Sequence, residues 1–206
     1  MAQHCLSRLA LVAVATFLLA AARAEAAVFN FETDQLAASS PFSSTSAGLT
    51  ATFAGSSFAD PGAFEISYNS TSGPLPLYSG LNGAFLTTAL ASLDPSSPLT
   101  ISFSQPVASL SLNFALGSRT GGLSLTTNSG GSAQAPGAVP SGFNFAEGAL
   151  SFSGAGFTVA TLRTGAIGLA VDDIVATPAA TAVPEPASVE LLGAGLLGLL
   201  ARRRRA

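Results

Sequence analysis

The clearest pattern in the chain lies in residues 98–116, PLTISFSQPVASLSLNFAL, where apolar and polar residues alternate almost one for one. Leu99, Ile101 and Phe103 fall on one face. After an interruption at Gln105-Pro106, Ala108, Leu110, Leu112, Phe114 and Leu116 share the next, with Ser109, Ser111 and Asn113 opposite. Successive side chains of a strand point to opposite faces, so this period predicts two strands, each half buried. Weaker runs of the same kind predict strands at 27–32, 48–53, 63–68, 122–127, 149–153, 156–163 and 166–177. Breakers separate them, among them Asp60-Pro61-Gly62, Asp94-Pro95, Gly121-Gly122 and Gly154-Ala155-Gly156. No stretch before residue 187 carries an apolar stripe of helical period long enough for a helix. The pattern predicts an all-β domain over residues 27–177, built as a two-sheet antiparallel sandwich of jelly-roll type.

Two terminal segments depart from this rhythm. A basic start with Arg8, an apolar run over residues 9–22, and small residues at Ala24 and Ala26 form the layout of a secretory signal peptide over residues 1–26. A cut after Ala26 fits best, and one after Ala24 nearly as well. At the other end, residues 178–186 form a linker that closes on Val183-Pro184-Glu185-Pro186, and residues 187–201 are rich in Leu, Gly and Ala. Residues 202–206 hold Arg202, Arg203, Arg204 and Arg205. The positive-inside bias predicts a short transmembrane helix over 187–201 with a basic cytoplasmic tail, and the β domain across the membrane. A helix of that length spans only about 22 Å against a hydrocarbon core of ~30 Å. Snorkelling arginines and an interfacial Glu190 close the gap.

Composition then narrows the chemistry. Charged residues make up 9% of the chain, and neither Lys nor Trp occurs. Met1, His4 and Cys5 are the sole residues of their types, so removal of the leader removes the only thiol and the only imidazole. That excludes disulfides, Cys/His zinc sites, a Ser-His-Asp triad and a lysine nucleophile from the exported form. Between residues 27 and 183, Arg119 and Arg163 face eight acids, Glu32, Asp34, Asp60, Glu65, Asp94, Glu147, Asp172 and Asp173. Nucleic acid is therefore a poor partner. No local pattern selects two of these acids for glycoside hydrolysis. Sugar platforms are limited to Tyr68 and Tyr78. Asn69-Ser70-Thr71 fits the glycosylation pattern, a short match that is frequent by chance.

Val183-Pro184-Glu185-Pro186, an apolar stretch of small residues and Leu, and the Arg202–Arg205 cluster, in that order, resemble the PEP-CTERM sorting signal of Gram-negative bacteria. The resemblance implies signal peptidase and an exosortase as partners, with the exosortase cutting near Pro-Glu-Pro. It implies export across the inner membrane, transient anchoring there, and delivery to the cell surface or extracellular matrix, with exopolysaccharide as a possible partner. The body is similar to the β-rich exported domains that accompany such tails, through Phe31-Glu32, the strand Leu99–Phe103 and Asp172-Asp173-Ile174. That likeness implies a sandwich whose first and last strands are neighbours, in some cases sharing a structural calcium.

The residues meet that implication at one place. Along 166–177, Ile167, Leu169 and Val171 share a face, and strict alternation would add Asp173 while Ile174 joins Asp172. The break predicts a bulge or core edge carrying a carboxylate, which must be hydrogen-bonded, paired or metal-bound. Glu32, Asp34, Asp172 and Asp173 are thus the candidate calcium site or polar cluster. The plainer alternative is that Asp172 and Asp173 cap backbone amides. The functional expectation is an exported, non-enzymatic surface or matrix protein; a polysaccharide-binding module is the second reading and a hydrolase the third.

Overall fold

The computed structural model describes residues 25–34, 41–55, 64–69, 77–88 and 98–180, and among them all regular structure is antiparallel β. Ten strands follow in order: β1 (Ala27–Phe29), β2 (Phe42–Ser46), β3 (Leu49–Gly55), β4 (Phe64–Tyr68), β5 (Ala84–Thr88), β6 (Leu99–Leu116), β7 (Gly122–Thr127), β8 (Ser132–Pro136), β9 (Glu147–Thr164) and β10 (Leu169–Pro178). The signal helix, Ala24, and the segments 187–201 and 202–206 lie outside the described residues.

Hydrogen bonding is continuous through all ten strands, along β4-β5-β10-β6-β9-β7-β8, with β1 on β10 and the β2–β3 hairpin on β6. The expected pair of sheets is therefore joined. Instead of ending at Gln105-Pro106 and at Gly154-Ala155-Gly156, β6 and β9 run through these breakers as 18-residue strands. The register between them shifts from Ser102 to Val107 and again to Ser109. Pro106, which has no N–H, and the two glycines sit where the ladder is interrupted, so they bend the strands rather than end them. One half of the sheet is built on residues 99–103 of β6, beside β3, and the other on residues 107–116, beside β10.

Alternation places the apolar sets on one side of this folded sheet. Leu99, Ile101 and Phe103, then Leu110, Leu112, Phe114 and Leu116, are all buried as the sequence predicts, in one cluster that draws on every strand; Ala108, expected with them, gives way to Val107, because the register shift between Val107 and Ser109 changes the face at that point. Phe29 of β1, in the half built on β10, packs edge-on against Phe53 of β3 in the other half, with ring centres 6.0 Å apart. Phe31 and Phe42 close on Phe53 at 5.3 and 5.2 Å.

β1 and β10 are antiparallel neighbours, with Ala27 opposite Ala176. The first and last strands therefore meet, and the chain enters and leaves the sheet at one end. Ala26 is exposed while Ala27 is buried as the first residue of β1, so a cut after Ala26 leaves the ladder whole.

Candidate functional site

The outer face of the half built on β10 carries most of the organised polar chemistry. Paired residues of antiparallel strands point the same way, so Ala170 with Ala115, and Asp172 with Asn113, face outward there. Residues 77–83 lie across this face. Tyr78 and Leu81 from that loop, Phe85 of β5, Ala115 of β6 and Ala170 of β10 form a second, smaller buried cluster, with Phe145 packed on it.

Three carboxylates hold the backbone of the loop and of its junction with β5. Glu147 at the start of β9, 9% exposed, accepts from Ser79 N (2.9 Å) at Oε1 and from Gly80 N (2.7 Å) and the Ser79 hydroxyl (2.8 Å) at Oε2. Asp172 accepts from Asn82 N at 3.2 Å, and Glu32 from Ala84 N at 3.0 Å. From the opposite side Asn69 donates to the Tyr78 carbonyl (3.0 Å) and accepts from Leu77 N (3.0 Å). In a chain without lysine, backbone N–H groups are the partners these acids find. Asn69 is itself buried and bonded through both amide atoms, so its side chain is committed to the fold rather than presented as a glycan acceptor.

Asp173 has φ of +50°, and the β10–β6 register shifts between Asp172 and Val175. This is the bulge that the broken alternation predicts. It returns Ile174 and Ala176 to the core side and leaves Asp172, 1% exposed, as the buried carboxylate. Asp is among the residues that enter left-handed backbone most readily. The N–H of Asp173 donates to Asp172 Oδ1 at 2.7 Å, while the Asp173 carboxylate reaches Asn113 across the ladder. Burial pushes the Asp172 carboxyl up to about 7, with the charges of Asp173 and Glu32 adding to the rise and the N–H groups of Asp173 and Asn82 opposing it. Burial and the nearby Glu147 charge raise the Tyr78 hydroxyl.

Of the four acids in the candidate calcium set, Glu32 and Asp172 come together around residues 82–84. Asp34 instead accepts from the Ser44 hydroxyl (3.1 Å), and Asp173 from Asn113 Nδ2 (3.2 Å). Among the described residues no group of three or more His, Cys, Asp or Glu is placed to hold a metal ion. Asp172 has taken the amide-capping role that the sequence offers as the plainer alternative. Glu147 could not have been singled out from sequence, because its partners lie 67 and 68 residues away. Tyr78 is buried, which removes one of the two tyrosines from any sugar platform; Tyr68 remains 54% exposed at the end of β4.

Gly83 gives this arrangement a sharp test. Its φ is +63°, and a Cβ there would sit 1.8 Å from Glu32 Oε1. Gly83→Ala is expected to cost about 1–3 kcal/mol, from left-handed strain and the loss of the Glu32 contact to Ala84. Chemical denaturation measures it, and an unchanged midpoint would contradict the placement of Glu32.

Two shallow cavities open beside the loop on the same outer face. One of about 270 Å³ is lined by Ser79, Gly80 and Glu147, the other of about 320 Å³ by Ser111, Ser151 and Asp173, and both touch Asn113. A larger groove of about 640 Å³ crosses the far end of the sheet, over β7, β8 and the end of β9.

The chain leaves the sheet at Pro178, and Ala179 N donates to the Pro106 carbonyl at 2.8 Å, which fixes the exit at the bend in β6. Just beyond, residues 182–205 match the family model for the PEP-CTERM protein-sorting motif. The chain carries a PEP-CTERM sorting motif. The motif takes in Val183, Pro184, Glu185, Pro186 and Arg202 to Arg205, all outside the described residues. No curated protein matches the sequence. Among solved structures, the chain is similar to the K2 cleaved adhesin domain of Lys-gingipain at 13% identity, over 74% of this chain and 99% of that one, with a TM-score of 0.44. TmCBM61, solved in complex with beta-1,4-galactotriose, aligns at 15% identity over 73% and 94% of the two chains, with a TM-score of 0.35.

Proposed function

We propose that this is an exported, non-enzymatic surface or matrix protein, carried across the inner membrane by its leader. On this reading it is held there transiently by residues 187–201 and processed by an exosortase near Pro184-Glu185-Pro186. The observation that carries the reading is the sorting motif at 182–205, placed directly after a folded domain. Two features support it. The β1–β10 pairing puts the start of the first strand and the end of the last at one end of the sheet, so a precursor tethered by both terminal segments can fold with both tethers leaving from the same end. Within the described residues, Glu147 and Asp172 accept from backbone N–H groups of the loop at 77–83 and Glu32 from the first residue of β5, Ala84, a structural use.

The experiment compares wild type with a chain in which Arg202, Arg203, Arg204 and Arg205 are replaced by neutral residues. Loss of the cluster removes the charge that holds the tail on the cytoplasmic side. The expected result is reduced membrane retention before processing and accumulation of protein with an intact tail. Unchanged location and unchanged processing would refute the reading.

A further inference from the structure

We propose that the open groove over β7, β8 and the end of β9 binds a carboxylate-bearing saccharide chain, such as a uronic-acid polymer, gripped by Arg163. Ser124 of β7 pairs with Gln134 of β8 on one side and with Arg163 of β9 on the other. Paired residues share a face, so an amide, a hydroxyl and a guanidinium stand in one row across three strands, all lining the groove. Leu123, Leu125 and Leu162 occupy the alternate positions and are buried in the core, so the row is fixed on the outside by the same alternation that builds the sheet. The Ser124 hydroxyl donates to the Arg163 carbonyl at 3.0 Å, a bond to backbone that leaves the guanidinium free. Among the described residues that guanidinium, exposed to solvent, has no hydrogen-bond or ion-pair partner.

The distribution of charge favours an anionic ligand at this end, although the domain is acidic as a whole. From residue 95 to 171 the chain has a single acid, Glu147, against Arg119 and Arg163. Glu147 is buried at the opposite end of β9 and occupied by the loop at residues 79–80. Arg119 is exposed in the turn that leads to Gly121 and donates to Asn144 Oδ1 at 3.3 Å, so Arg163 is the cation that lines the groove. Among the described residues that line the groove, Arg163 is a cation and none is an acid. A planar guanidinium matches a carboxylate in two parallel hydrogen bonds, and the neighbouring Gln134 and Ser124 supply further polar groups for sugar hydroxyls. The floor is kept low at Gly122, where a Cβ would lie 2.6 Å from the Ala135 carbonyl oxygen.

The test does not depend on sorting, because it uses the purified full-length chain in detergent micelles. Polygalacturonate is titrated at low ionic strength and again at about 0.15 M salt, with neutral β-1,4-galactan as the comparison. Binding to polygalacturonate that weakens with salt, and none to galactan, is expected. Arg163→Gln should reduce the affinity about tenfold or more, the worth of one charge-assisted contact, with Arg163→Lys between. Gln134→Ala, an exposed change, should weaken binding less, and all variants should keep the parent unfolding midpoint. Equal binding by Arg163→Gln, equal binding of galactan, or no binding of polygalacturonate at low salt would each overturn the proposal.

Discussion

Replacing Phe53 by Ala should lower the stability of the domain by about 3–5 kcal/mol, the usual cost of emptying a fully buried aromatic site. Phe53 is completely buried, and its ring meets those of Phe29, Phe31 and Phe42. These partners come from β1, from the turn after it and from β2, so truncation opens a cavity where the two halves of the folded sheet close. Relaxation there is limited, because β3 is held on both sides, by β2 and by β6. With a single cysteine the chain has no internal disulfide, and against total stabilities of roughly 5–15 kcal/mol for ordinary domains the variant should lose a large part of its stability. Denaturant titration of parent and variant measures the difference. A loss below about 1 kcal/mol would contradict the position of Phe53 at the meeting of the halves.

The second large effect is a pH dependence centred on Asp172. Its carboxyl is raised from the ordinary 3.8 to about 7 in the folded state, chiefly by burial. Between these values the native state holds a proton that the unfolded chain has already released. Stability from this group is therefore highest at low pH, declines as pH rises through the window, and levels off above about 7. A shift of that size corresponds to as much as ~4 kcal/mol across the window. Asp172→Asn removes the titrating group, so the stability difference between parent and variant should change steadily in favour of the variant from about pH 4 to pH 7. Asn keeps one acceptor for the N–H of Asp173 and loses the other to Asn82, which adds a constant offset but no slope. A parent-minus-variant difference that is flat with pH would show that Asp172 titrates normally.

Much of this architecture is legible in the sequence wherever one face of a strand is dry and the other wet. β3, β4, β7 and β6 apart from Ala108 follow their alternation. In β10 Leu169 and Val171 face the core as expected, but Ala170 and Asp172 are buried as well beneath the loop, and Ile167, expected on the core face, precedes the strand and is 52% exposed. The strands that escape notice lack that contrast. β5, Ala84 to Thr88, is buried on both faces because the loop at 77–83 covers its outer side, so its sequence shows no polar alternation. β2 and β8 are edge strands of mostly Ser, Thr, Gln and Ala, with little apolar signal. Pro106 and Gly154-Ala155-Gly156 read as strand ends because local chemistry cannot distinguish a bend inside a long strand from a turn between two short ones. The bulge at Asp172-Asp173 is visible as a broken period, but which acid it buries depends on the left-handed turn at Asp173. The loop-holding role of Glu147 is invisible locally, since its partners are set by the fold. The sorting signal is read from order alone, Pro-Glu-Pro, then an apolar run, then arginines, and needs no tertiary structure.

In the proposed function, processing of the PEP-CTERM segment is the step on which release depends. Intact-mass measurement of the protein recovered from envelope and medium tests it most directly, compared between wild type and a strain lacking the processing enzyme. The account predicts a wild-type chain that starts at Ala27 or Glu25 and ends near Pro184-Glu185-Pro186, without Arg202 to Arg205, and a chain extending to Ala206 in the deficient strain. A wild-type mass that includes Ala206, or the same C-terminus and location in both strains, would contradict it.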